Sequence, residues 1–203
     1  MRQFILLLFF AASLCSFKKS FAQEGYRKLF LKEVGWTISL PTDFELIDSA
    51  DQAARQQRGK DRIEKSNDIE VDVKELRTLV SAKSGFNYFA ATIAPFDKNG
   101  DGDYVTASRE ANRVVYITMQ ENMPDATIDS FSNSQVIDGL RFSKFVMNIK
   151  ISPTANMTMI IISKYYKGFD FGISYLYLND KAKKQIEDMI ANSTFTKESP
   201  KRK

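Results

Sequence analysis

Three apolar runs in series, Leu140–Ser152, Asn156–Tyr166 and Phe169–Leu178, limit what this chain can become more than anything else in it. Asp138-Gly139 leads into the first run, Pro153–Ala155 joins it to the second, and Lys167-Gly168 joins the second to the third. Asp-Gly and tight glycine-containing loops between apolar runs are hairpin signals. The stretch therefore predicts a β-meander on which the rest of the chain packs.

The faces of these strands can be read from period-2 alternation. The last run puts Phe169, Phe171, Ile173, Tyr175 and Tyr177 on one face, an aromatic row of the kind that fills a core. Met157 to Ile162 is apolar at nearly every position, as in a central strand covered on both faces. The first run is internally inconsistent. Leu140 and Phe142 have one parity; Phe145, Met147, Ile149 and Ile151 have the other. Either a bulge near Ser143-Lys144 resets the register, or the two faces are covered at different points.

Upstream, Leu29–Lys32 and Trp36–Leu40 read as short strands about a Glu33–Gly35 turn, the second ended by Pro41. Trp36 reads as a core or rim aromatic before a ligand platform. Ser49 with Gln52 fits a capping box for a polar surface helix over Ala50–Lys65, open to a break at Gly59. Ile69, Val71 and Val73 alternate as an edge strand would. Leu76–Lys83 and Phe86–Pro95 form a hairpin about Ser84-Gly85. A helix runs from about Thr106 to Met123, with Ala111, Val114, Val115, Thr118 and Met119 on one face, and Pro124 stops it. Ala126–Val136 reads as an edge strand. Asn179 or Asp180 caps a final helix to about Ala191, striped by Ala182, Ile186, Met189 and Ile190.

The amino terminus carries Met1-Arg2, an uncharged apolar run from Phe4 to Leu14, and Ser20-Phe21-Ala22, the pattern of a secretory signal peptide cleaved after Ala22. Cys15 raises the question of a lipid anchor, but Leu14 before it is not small. Removing 22 residues from 203 leaves 181, which suits one domain over 23–196 and a basic tail over 197–203. That chain has no cysteine and no histidine, which excludes disulfides, a thiol nucleophile, imidazole metal ligation and Ser-His-Asp chemistry. Arg2, Lys18 and Lys19 leave with the leader, so 26 basic residues face 25 acids, and nucleic-acid binding has no electrostatic basis. No further segment is apolar enough to span a bilayer.

The sharpest motif is Asp97-Lys98-Asn99-Gly100-Asp101-Gly102-Asp103. Asp97, Asn99 and Asp101 occupy positions one, three and five of an EF-hand loop, with Gly102 at six and Asp103 next. Alternating hard oxygens in a turn are what calcium requires, but position twelve is Ser108 and a strand precedes the loop. An acidic β-to-α connection uses the same turn residues. Asp68, Glu70, Asp72 and Glu75 could supply the two carboxylates of a glycosidase-type hydrolase, or simply a solvated face.

Gly35–Pro41, Phe86–Phe89, Ile137–Leu140 and Gly168–Gly172, in this element order, carry a resemblance to the PsbP/Mog-like fold and to small exported proteins of the Bacteroidetes type. The resemblance implies an α+β class, an antiparallel β-sheet with helices on both faces, and no catalysis. Members of that family bind protein partners: one branch supports the oxygen-evolving complex and another binds the GTPase Ran. The expected function is a non-catalytic, periplasmic or secreted binding module of the cell envelope with a protein partner and no cofactor. The alternatives are a calcium-binding protein using Asp97, Asn99, Asp101 and Asp103, and a carboxylate-only hydrolase.

Overall fold

The computed structural model describes residues 25–196. The signal-peptide and cleavage assignments and the basic tail lie outside those residues. Strands β1 (Tyr26–Leu31) and β2 (Trp36–Pro41) pair antiparallel, and β2 also pairs with the two-residue β10 (Thr194–Phe195). The large antiparallel sheet contains β3 (Glu45–Leu46), β4 (Arg77–Ser84), β5 (Asn87–Pro95), β6 (Thr127–Ile137), β7 (Leu140–Ser152), β8 (Ala155–Tyr166) and β9 (Phe169–Tyr177). Its strand order is β3-β4-β5-β9-β8-β7-β6. Helices α1 (Ser49–Asn67) and α2 (Tyr104–Asn122) pack together on one face. Helix α3 (Asp180–Ala191) and the small sheet cover the other.

The meander forms as its turns dictate. Asp138 and Gly139 both have positive φ, 45° and 79°, as do Lys167 and Gly168, at 52° and 84°. Two successive positive φ values make the primed turn whose twist matches antiparallel strands. The parity conflict in β7 is resolved by two layers. Pairing runs unbroken through Ser143 and Lys144, and the irregularity falls at Lys150–Ser152 instead. Phe142 and Val146 enter the core beneath α3 and β2, while Phe145, Met147 and Ile149 enter a second core beneath α2. β8 divides the same way, Ile160 and Ile162 to one side, Met157, Met159 and Ile161 to the other.

Trp36 is fully buried in the larger core. Its ring stacks on Phe195 at 5.9 Å and meets Phe171 edge-on at 5.5 Å. The indole N–H donates to Ser193 Oγ at 2.7 Å, and that hydroxyl donates to the Ile190 carbonyl at 2.6 Å. β10 was not legible in the sequence: it is two residues long, and only its pairing with β2 defines it.

Three expectations change. The cap of α1 is Asp48, whose carboxylate accepts from the Asp51 N–H at 2.8 Å, not Ser49. The helix runs unbroken through Gly59. Residues 69–73 form no strand, although they alternate, because β3 and not this segment lies beside β4. A period-2 pattern makes a strand only where a neighbour supplies the ladder.

Candidate binding site

The acidic loop connects β5 to α2, and its carboxylates hold the connection itself. Asp97 Oδ1 accepts from the Asn99 N–H at 3.0 Å, and Asp101 Oδ2 accepts from the Asp97 N–H at 2.8 Å. Asp103 is the N-cap of α2 and takes both the N–H and the hydroxyl of Thr106. Those bonds hold its carboxyl below the ordinary range. Among the described residues, no group of three or more Asp, Glu, His or Cys is placed to hold a metal. Asp68, Glu70, Asp72 and Glu75 are all exposed on the irregular segment after α1, where Asp68 is its left-handed C-cap.

Beside the loop, the first turn of α2 rests on the sheet. Tyr104 donates its hydroxyl to Asp170 Oδ1 at 2.6 Å, and the Ser108 and Ser163 hydroxyls share a hydrogen bond of 2.9 Å. Burial pushes the Asp170 carboxyl up, against the opposing pull of the tyrosine bond. Burial, with the Asp170 charge behind it, also pushes the Tyr104 phenol up. These groups satisfy one another. A groove of about 350 Å³ opens over Tyr104, Ser108, Ser163 and Tyr165.

A second cleft, of about 470 Å³, lies between α1 and the sheet. Its floor is one cross-strand row: Met159 on β8 faces Leu176 on β9, which faces Tyr88 on β5. All three are half-buried, because α1 and α2 do not cover this part of the face. Phe86, at the tip of the β4–β5 hairpin, stands at the rim and is 86% exposed. The wall is α1, which contributes Arg55, Arg58, Gly59 and Arg62. Arg55 lies 5.8 Å from the Tyr88 ring centre, within cation–π range.

Helix α1 is unusual in burying no residue. Polar contacts hold it instead. Gln52 and Gln56 both donate to the Thr78 hydroxyl, and Asn67 donates to that of Thr118 on α2. Some other bases of the chain are paired, Lys60 with Glu64, Arg77 with Glu33, Arg113 with Glu110 and Lys184 with Asp188, while among the described residues bases such as Lys83, Arg109 and Lys144 are not. Among the described residues, Arg55, Arg58 and Arg62 make no ion pair. Sequence reading missed this site. Arg55, Arg58 and Arg62 stand at helical spacing on one face, but an exposed charged stripe is the ordinary surface of a helix. The floor that gives it meaning comes from β5 and the β8–β9 hairpin, which lie outside the helix and far from each other in the chain.

No protein-family model matches the chain, and no curated protein matches it. Solved structures do. The solution structure of cyanobacterial PsbP (CyanoP) from Synechocystis sp. PCC 6803 superposes with a TM-score of 0.52 at 8% identity, over 85% of this chain and 93% of that one. The Ran-binding protein Mog1p of Saccharomyces cerevisiae gives a TM-score of 0.38 at 10% identity, over 84% and 95%. LpqN of Mycobacterium tuberculosis, involved in cell envelope biogenesis, gives 0.40 at 11%, over 85% and 91%. The likeness to CyanoP establishes a PsbP-like α+β fold, as the resemblance implied. At this identity it carries no ligand or site residue across.

Proposed function

We propose that the chain is a non-catalytic accessory domain of the bacterial cell envelope that acts by binding a protein partner. The observation that carries this reading is the cleft between α1 and the sheet, where three unpaired guanidiniums flank an apolar, aromatic floor. Such a surface offers recognition without chemistry: guanidinium is always protonated and supplies neither base nor nucleophile. The half-buried carboxylate of Asp170, beside the first groove, is committed to Tyr104. Among the described residues no helix is long and apolar enough to cross a membrane. The leader pattern of residues 1–22 supports export.

Immobilised mature protein, exposed to envelope extract of its source cells, tests the reading. A partner identified by mass spectrometry and lost with R55Q/R58Q/R62Q is expected. Repeated capture of nothing above a bead control would refute it.

A further inference from the structure

From the cleft between α1 and the sheet we infer that the chain recognises an acidic, extended peptide segment whose carboxylates lie along Arg55, Arg58 and Arg62 and whose apolar side chains rest on Met159, Leu176 and Tyr88. This rests on the accessory-domain reading and names the chemistry of the partner.

Three independent features point to it. The first is charge. The three guanidiniums face the cleft without carboxylate partners, while nearby Glu64 is already taken by Lys60 and by the Val71 N–H. A guanidinium binds a carboxylate through two parallel hydrogen bonds, which is what an unpaired row of arginines is suited to do.

The second is spacing. At 1.5 Å per residue, Arg55 to Arg62 spans about 10.5 Å along the helix. An extended chain places alternate side chains on one side about 6.6 Å apart. Two or three carboxylates of an alternating acidic segment therefore fall along the row. The intervening side chains turn to the opposite side, toward the apolar floor.

The third is Gly59. A glycine inside a helix costs about 1 kcal/mol relative to alanine. Close packing does not require it here, since a Cβ at Gly59 would meet nothing within 4 Å. It does line the cleft, between Arg58 and Arg62. The helix gives up stability at a position that lines the cleft, where a longer side chain would project into open space beside the arginines.

The test is fluorescence anisotropy or calorimetry of the mature protein with the capped pentapeptide DLDFD, its amide counterpart NLNFN, inorganic phosphate, and phosphatidylglycerol vesicles. DLDFD is expected to bind, more weakly as salt rises, and NLNFN to bind at least about tenfold less tightly. R55Q/R58Q/R62Q abolishes binding while leaving thermal stability in place, because the three side chains are exposed and α1 buries nothing. Gly59→Leu keeps every charge and the helix but fills the cleft, and it is expected to weaken DLDFD at least about tenfold. Three results would overturn the inference: no DLDFD binding at millimolar peptide, equal binding of NLNFN, or vesicle recruitment in place of peptide binding. None of them disturbs the accessory-domain reading if a partner is still captured from extract. That reading falls only when capture fails.

Discussion

Ser193→Ala isolates the bond that ties the end of the chain to its centre. The Ser193 hydroxyl accepts the indole N–H of Trp36 at 2.7 Å, and both residues are buried. Removing it strands that N–H among Phe171, Phe195 and Phe89, since among the described residues it has no other acceptor. A buried donor left unpaired costs about 1–3 kcal/mol. The Ile190 carbonyl loses one bond but keeps the Ser193 N–H at 3.2 Å, so the loss centres on the indole. About 2 kcal/mol is expected, and at about 2–4 °C per kcal/mol for a domain of this size the midpoint falls by about 4–8 °C. Trp36 is the only tryptophan, so urea unfolding followed by its fluorescence reports this core directly. Repeating Ser193→Ala in a Trp36→Phe background, followed by circular dichroism, removes the donor first. The serine should then cost less than about 0.5 kcal/mol. A loss below about 0.5 kcal/mol in the wild-type background, or an equal loss in both, would refute the reasoning.

Other perturbations follow from the same contacts. Tyr175→Phe is expected to stabilise the fold by about 1 kcal/mol, because the Tyr175 hydroxyl is buried with no hydrogen-bond partner among the described residues; a loss measured by denaturant titration would contradict this. Asp170→Asn should stabilise the protein at neutral pH. The folded carboxyl is held above its ordinary 3.8, so native stability falls as pH rises from that value through the raised one and stays low above it. The advantage of the asparagine should therefore vanish in acid, and a pH-independent difference would count against it. On β6, the Asp138-Gly139 turn makes Ile137 and Leu140 a hydrogen-bonded pair, so the backbone N–H groups of odd-numbered residues bond to β7 and those of even-numbered ones point away from it, off the sheet edge. Ser132→Pro should then cost about 1 kcal/mol and Asn133→Pro about 3 or more, and equal losses would show the phase to be wrong. Calcium at millimolar concentration should leave the melting midpoint unmoved, since the oxygens of Asp97, Asp101 and Asp103 already serve the loop and the cap of α2.

The meander, the β4–β5 hairpin, α2 and α3 were legible in the amino-acid sequence because each rests on a local signal: period 2 or 3.6 in apolar residues, a primed turn, a capping side chain. Asn179 illustrates it, accepting the Ala182 N–H at 2.9 Å where the sequence places a cap. Where the reading failed, the deciding partner lay elsewhere in the chain. Alternating residues 69–73 have no strand beside them, and Thr194–Phe195 become a strand only because Trp36 and Thr37 are there to pair with. The two parities of β7 are compatible only because helices and a second small sheet approach from opposite sides, which no window of sequence records. The arginine row of α1 is the same case at the level of function. Its spacing is written in one helix, but the proposed binding surface also needs Tyr88 of β5 set beside Leu176 and Met159 of the β8–β9 hairpin, which lies far from β5 in the chain. Local patterns determine which elements form, because backbone geometry and capping act within a few residues. Only long-range burial decides what those elements face.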